Sequence, residues 1–333
     1  MKLASLREGG RDGALVVVDE QLRIAAPVPH IARTLIEALE NWAEAEPRLR
    51  AAAERLAAGE LADTRPLDPA ALAAPLPRSP QFLDGSVYLR HMEKARAARG
   101  AEMPPNYLTE PIMYQGASDA FLGPLEPMPL PDEDDGIDYE PELAIVVDDV
   151  PMGTTVAEAA EHIKLVMLLN DYTLRSLTRF ELPKGFGFVQ SKPTSSFAAA
   201  AVPPADLGSA WDGERFHLRV RSSVNGALLG DADAGQDMFF GYPELIAHAA
   251  RTRNLSAGTV IGAGAISNDS ESSGFGCIAE ARIAEELEHG SARLPWLRFG
   301  DVVRIDALDR DGRSVFGAIE QPIVPAVRVP AAR

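Results

Sequence analysis

Two glutamates two residues apart, Glu140 and Glu142, stand in the stretch Asp138-Tyr139-Glu140-Pro141-Glu142-Leu143. It runs straight into Ala144-Ile145-Val146-Val147 and stops at Asp148-Asp149, which predicts a strand. Side chains two apart on a strand share a face, so the two carboxylates would project side by side. Carboxylates held that close repel each other unless a proton or a cation lies between them. Oxygen-only ligands suit a hard cation such as Mg²⁺, Mn²⁺ or Ca²⁺. A solvated acidic edge is the ordinary reading of the same two residues.

Other stretches carry reactive types. Asp84 and His91 are seven apart, which on a helix is two turns and one shared face. Residues 164–169 form an apolar run that reads as a strand, followed by Asn170-Asp171-Tyr172-Thr173-Leu174-Arg175. Charged groups just past a strand end are well placed to build a site. The glycine-rich Gly185-Phe186-Gly187 precedes Gln190-Ser191-Lys192-Pro193. Tyr114 lies in a short strand-and-turn pattern, residues 111–116. Taken singly, His91 reads as an ordinary histidine, Lys192 as a solvated charge and Tyr114 as core.

The elements that must position these groups follow from the pattern. Residues 2–6, 14–18 and 22–26 read as short strands separated by turn clusters. Ile31, Leu35, Leu39 and Trp42 fall on one helical face, Pro47 interrupts it, and an alanine-rich helix over 49–58 ends at Gly59. Residues 61–80, with Pro66, Pro69, Pro75, Pro77 and Pro80, read as a linker. This divides the chain into a β-rich unit with a helical linker over 1–77 and a larger unit over 78–333. In the second, 103–131 is a proline-rich long loop, and Thr155-Val156-Ala157-Glu158 is a capping box. Residues 216–224 alternate like a strand into the Asn225-Gly226 hairpin turn, and Pro243 opens a helix. A last apolar run over 259–262 leads into Gly264-Ala265-Ile266-Ser267 and a flexible-looking 270–276.

Composition bounds the function. At 333 residues the chain is long enough for two cores, and 46% apolar with 24% charged residues is ordinary for a soluble globular protein. The 27 glycines and 26 prolines favour turns and short strands over a helical bundle. A net charge of −17 argues against nucleic acid and anionic membranes, whose phosphates it would repel. The single cysteine, Cys277, excludes an intrachain disulfide and fits a reducing cytoplasm, and there is no Cys/His cluster for zinc. No signal peptide is expected, and no apolar run approaches a membrane span.

In combination the motifs resemble the fumarylacetoacetate hydrolase family over nearly the whole chain. Asp84 and His91 keep the family's spacing between its first metal carboxylate and its catalytic histidine. Asp138 to Ala144 is similar to the D-x-E-x-E metal strand, and Asn170-Asp171-x-x-x-Arg175 to the N-D-x-x-x-R segment. Lys192 stands at the family's active-site lysine. Gly264-Ala265-Ile266-Ser267, Gly276 and Glu280 resemble the closing G-T-I-S…G-x-x-x-E pattern.

The resemblance implies an α+β, mainly β fold: a small SH3-like N-terminal β domain, then a mixed β roll, in a cytoplasmic homodimer. It implies a divalent cation, Mg²⁺ first, on Asp84, Glu140, Glu142 and Asp171. His91, oriented by Glu280, would activate water, while Arg175 and Lys192 stabilise the oxyanion. The reaction would be hydrolysis of a carbon–carbon bond in a β-diketone or acylpyruvate, in aromatic-compound catabolism. Decarboxylation, hydration or isomerisation of a related acid is the alternative, and a non-catalytic metal-binding module a more distant one. Tyr114 matches a substrate-side tyrosine. Thr178, Leu182 and Ala265 stand where fumarylacetoacetate-specific members carry Gln, Tyr and Thr. Those changes imply a less polar acyl end, unless Gln190 supplies the missing polar group.

Overall fold

The computed structural model describes residues 1–97 and 102–327, without the side chains of His91, Ala95 and Ala97. The chain opens with β1 (Lys2–Leu6), β2 (Ala14–Val18) and β3 (Ile24–Pro27), an antiparallel meander. Helices α1 (Leu35–Glu40) and α2 (Trp42–Ala57) follow, and β4 (Arg65–Pro66) completes a four-stranded sheet. The helix break falls at Asn41 and not at Pro47, which lies inside α2. In the second turn a proline forfeits one helical bond, which the buried face of Ala45, Leu49, Ala52 and Leu56 offsets. Residues 61–80 are not a loose linker: Leu72, Ala74 and Leu76 are buried, and the Ser5 hydroxyl donates to the Pro75 carbonyl at 2.7 Å.

The second part begins with β5 (Phe82–Gly85), α3 (Leu89–Ala97), β6 (Met113–Gly116) and β7 (Met128–Leu130). Asp84 therefore sits on a strand and His91 on the following helix, so no single helical face carries both. Residues 103–131, read as a long loop, hold β6 where a short strand was expected within 111–116, and a further short strand, β7.

The acidic strand is also split. β8 (Ile137–Asp138) ends before Tyr139, and β9 (Pro141–Val147) restarts after Glu140. Pro141 has no N–H to give a ladder, which makes it a strand-opening residue. Next come α4 (Val156–Ala159), β10 (Ile163–Asn170), β11 (Thr173–Leu174), α5 (Arg175–Glu181) and β12 (Ser196–Phe197). The chain continues through β13 (Arg219–Val224), β14 (Ala227–Asp233), α6 (Tyr242–Ala249), β15 (Val260–Gly262) and α7 (Ile278–His289). Strands β16 (Val302–Leu308) and β17 (Ile319–Pro325) end it.

The central sheet runs β12-β10-β9-β15-β5-β6, and a second one runs β14-β13-β16-β17-β7. A small pair, β11 and β8, stands beside them. Register in the central sheet builds the site. Glu142 pairs with Leu169, Gly262 with both Ala144 and Asp84, and Asp84 with Tyr114. Four strand ends thus bring their polar residues to one end of the sheet.

Side-chain alternation separates two cores. Leu143, Ile145 and Val147 pack towards the second sheet, with Val303, Ile305 and Ile319. Ala144 and Val146, with Phe82, Leu165 and Phe197, share a core with Leu3, Leu15, Val17, Leu39 and Leu49 of the N-terminal part. The N-terminal sheet is therefore packed into the same apolar interior as the central sheet. Leu49→Ala removes a fully buried side chain from that shared core. It is expected to cost about 2–5 kcal/mol. Calorimetry should show one unfolding transition displaced to lower temperature, with no separate N-terminal transition.

Candidate metal and active site

Three of the four candidate metal carboxylates converge. Asp84, Glu142 and Asp171 each place an oxygen within 4.8 Å of the others, and all three are buried. Asp84 comes from the end of β5, Glu142 from the start of β9, and Asp171 from just past β10. The fourth candidate, Glu140, faces cations instead: Arg175 Nη2 lies 2.6 Å and Lys192 Nζ 2.5 Å from its two oxygens. Glu140 and Glu142 flank Pro141, and Lys192 bridges Glu140 to Asp171, so Glu140 borders the cluster with a cation on each oxygen.

Lys192 also donates to Asp171 Oδ2 at 2.5 Å, and Ser195 donates to Asp171 Oδ1 at 2.8 Å. Tyr114 donates its hydroxyl to Asp171 Oδ2, also at 2.5 Å, which brings two donors to one oxygen. The backbone N–H of Gly264 approaches both Asp84 Oδ1 (3.2 Å) and Glu142 Oε2 (3.0 Å).

Glu142 Oε1 is buried with no hydrogen-bond partner among the described residues. A buried acceptor without a donor is costly, and here it borders two more buried carboxylates. Burial, then the charge of Asp171, pushes the Asp84 carboxyl up to about 8. Burial and the adjacent Asp84 push Glu142 up as well. Burial favours a neutral Lys192, but Asp171 and Glu140 outweigh it and hold the ammonium above its ordinary range. The oxygen-only donor set, the orphan oxygen and the excess of acid all fit a hard divalent cation.

Gly262 makes room for this cluster. A Cβ there would collide with Asp84 Oδ1 and lie 3.1 Å from Glu142 Oε2.

Arg175 opens α5 directly after β11. Its Nε donates to Asp138 Oδ2 at 2.8 Å. Burial opposes its charge, yet Glu140 and Asp138 raise its pKa well above the ordinary range. Lys192 rides on a loop fixed by Glu181. That carboxylate accepts the N–H groups of Val189, Gln190 and Ser191 at 2.9–3.0 Å, and the Ser191 hydroxyl at 2.5 Å.

Glu280, in the first turn of α7, is buried. Its Oε1 accepts from Ser267 Oγ at 2.9 Å and from Lys94 Nζ at 3.0 Å, and its Oε2 accepts from the Gly276 N–H at 2.9 Å. His91 is on α3, the helix that supplies Lys94, but its side chain lies outside the described residues.

A cavity of about 600 Å³ joins these groups. Asp84, Glu140, Arg175, Lys192, Tyr114 and Glu280 line it, and so do Thr178, Leu182 and Ala265. Thr178 turns its hydroxyl back onto the Arg175 carbonyl at 2.7 Å. Gln190 is exposed and is not part of the lining. Sequence reasoning missed Asp138, Glu181, Lys94, Ser195 and Gly262. Asp138 carried a signal, since it continues the two-residue spacing of Glu140 and Glu142. Lys94 carried another, three residues past His91 on one helix.

Residues 81–324 match the model of the fumarylacetoacetate (FAA) hydrolase C-terminal domain, and residues 1–78 match fumarylacetoacetase N-terminal domain 2. The chain is 28% identical over 196 residues to an oxaloacetate tautomerase of Bacillus subtilis, covering 58% of this chain and 61% of that one. Its fold is similar to that of maleylpyruvate hydrolase from Sphingobium sp. SYK-6, solved with manganese(II) and pyruvate. There the TM-score is 0.64 at 18% identity, over 98% of this chain and 100% of that one. It is also similar in fold to 5-carboxymethyl-2-hydroxymuconate delta-isomerase from Mycobacterium smegmatis, with TM-score 0.60, 18% identity and the same coverage.

Two outcomes test the carboxylate cluster. An acid raised from 3.8 to about 8 keeps its proton in the folded state where the unfolded chain has lost it. Stability of the cation-free protein should therefore fall as pH rises from about 4 to about 8. A cation binds the ionised form, so the rise in Tm produced by Mn²⁺ should be larger at pH 8 than at pH 6. Thermal-shift curves with and without Mn²⁺ at the two pH values check this. Gly262→Ala should weaken Mn²⁺ binding at least about tenfold by displacing Asp84 and Glu142, a loss of about 1.4 kcal/mol or more. Calorimetric titration measures it.

Proposed function

The chain belongs to the fumarylacetoacetate hydrolase family, and from that premise we propose that it is a divalent-cation-dependent hydrolase cleaving a carbon–carbon bond in a 1,3-dioxo acid of the acylpyruvate type. The observation that carries this reading is the buried triad of Asp84, Glu142 and Asp171, with its orphan oxygen, beside Lys192 and Arg175 in one cavity.

A divalent cation on Asp84, Glu142 and Asp171 would supply Lewis-acid polarisation of the substrate oxygens when bound. Glu140 stands next to this set, across the Lys192 ammonium. Lys192 and Arg175 place fixed positive charge on the cavity wall, where it can act on a developing oxyanion. His91 is assigned as the base that takes a proton from the attacking water. Glu280, held by Ser267 and Gly276, is assigned as the carboxylate that orients it. Water adds to the acyl carbonyl carbon, and the adjacent carbon–carbon bond breaks. Its electron pair stays with the 2-oxo acid fragment, which regains the proton from His91. The products are a carboxylic acid and a 2-oxo acid.

The wall of the cavity supports a less polar acyl end. Ile112, Met113, Leu182 and Phe188 line it, and Thr178 spends its hydroxyl on the backbone. Phe188 packs edge-on against Tyr114, with ring centres 5.0 Å apart.

One observation favours a second reading, tautomerisation or isomerisation of a 2-oxo acid. Lys94 and Glu280 form an ammonium–carboxylate pair on the cavity wall that could move a proton without any water. The tautomerase name of the Bacillus subtilis relative agrees with that reading.

Purified protein with Mn²⁺ should be assayed on hydrophobic acylpyruvates, fumarylacetoacetate and oxaloacetate, following enol absorbance and identifying products by NMR. Cleavage is expected, with kcat/KM highest for a hydrophobic acylpyruvate. His91→Ala should cut that rate on the order of 10²–10⁴-fold with Mn²⁺ affinity unchanged. Oxaloacetate tautomerisation without cleavage, retained by His91→Ala, would establish the second reading instead.

A further inference from the structure

Asp138 is the third acid at two-residue spacing in the stretch that carries Glu140 and Glu142, yet it takes no part in the carboxylate cluster. It is fully buried. Its Oδ1 accepts the N–H of Tyr139 at 2.9 Å and of Ile278 at 2.8 Å. Its Oδ2 accepts the N–H of Ala279 at 3.0 Å and Arg175 Nε at 2.8 Å. Four donors fill the acceptor sites of the two oxygens, so the carboxylate has no capacity left for a cation.

These four donors belong to three separate elements. Ile278 and Ala279 are the first residues of α7, whose N-cap, Cys277, makes no side-chain cap hydrogen bond. The open N–H groups of that twelve-residue helix are satisfied from outside by Asp138, where a negative charge is also favoured by the helix dipole. Arg175 belongs to α5, and Tyr139 follows β8. The Arg175 fork is divided, with Nε on Asp138 and Nη2 on Glu140. Its direction is set by two carboxylates at once. One of those also fixes the helix that carries Glu280.

We propose that Asp138 is a positioning residue: it aims the Arg175 guanidinium into the cavity and, through the start of α7, sets Glu280 in register with it. The proposal rests on the reading of Arg175 and Glu280 as reaction groups. A helix cap alone would touch Ile278 and Ala279 and leave the arginine Nη2 to Glu140 and to Cys277 Sγ, with Nε unheld by the cap. Here the same oxygen serves Ala279 and Arg175, so any displacement of the helix start is felt by the guanidinium. Misplacement of a catalytic group by about 1 Å is enough to cost on the order of 10²-fold in rate.

The test is a double-mutant cycle on the full chain with Mn²⁺, using Asp138→Asn, Arg175→Met and the pair together. Asp138→Asn is close to isosteric, but its amide faces donors on at least one side. It is expected to lower kcat/KM about 10–100-fold, mainly in kcat, with the Kd for Mn²⁺ changed less than about threefold. In the Arg175→Met background the same change should cost less than about threefold, because the group it acts through is gone. Losses that multiply in the double variant would overturn the proposal. So would loss of Mn²⁺ binding in step with activity, or a lowered Tm with kcat/KM intact, which is the signature of a helix cap only. If the wild-type protein turns over no dioxo acid, the functional reading fails by itself. The thermal-stability cycle of the same variants then decides the pairing: additive shifts refute it, and shifts that are less than additive support it.

Discussion

Like charge held away from water is the constraint on which the rest of this structure depends. Asp84, Glu142 and Asp171 are crowded at one end of the central sheet, and each is nearly or fully inaccessible to solvent. Such a cluster is stable only if protons or cations share it. Within the chain the response is Lys192 on Asp171 and Glu140, Arg175 on Glu140 and Asp138, and a carboxyl at Asp84 pushed up to about 8 by burial and by Asp171. What remains is the bare Oε1 of Glu142, an acceptor for which the described residues supply no donor. That residual mismatch is what a hard cation would remove.

Three acids spaced two apart along one stretch end in three different jobs. Glu142 joins the cluster, Glu140 receives two cations, and Asp138 ties Arg175 to the start of α7. A continuous strand would have placed all three on one face. The assigned ladder is interrupted at Tyr139 and Glu140 and resumes at Pro141, which has no N–H to give. Arg175 reaches both Asp138 and Glu140, and Lys192 bridges Glu140 to Asp171 of the cluster.

The machinery around the cluster is anchored from remote parts of the chain. The Glu181 carboxylate gathers three successive N–H groups and so fixes the loop leading to Lys192. Gly262 and Gly264 line the cluster with backbone alone. The N-terminal sheet and helices back the central sheet through a common apolar core, which holds β9 and β10 in the register that pairs Glu142 with Leu169. Precision at the strand ends therefore draws on packing well away from the cavity.

Much was legible in the residues themselves. Alternation marked β13, and short apolar runs bounded by turns marked β2 and β10, which are buried on both faces. Asn225-Gly226 marked a hairpin, because that turn demands positive φ at both positions, here 51° and 81°. The chain-order pattern of Asp84, Glu142, Asp171, Arg175, Lys192 and Glu280 marked the family, since those types at those spacings are rarely combined by chance. Sequence spacing carries no information on which acid meets which cation. Asp84 and His91 would share a face only if both were helical, and Asp84 lies on β5. Nothing in the spacing shows that Arg175 and Lys192 meet Glu140. Those outcomes depend on register between strands far apart in the chain and on where a ladder is interrupted. Both are settled by the packing of cores on either side of the sheet, so only the tertiary structure could decide them.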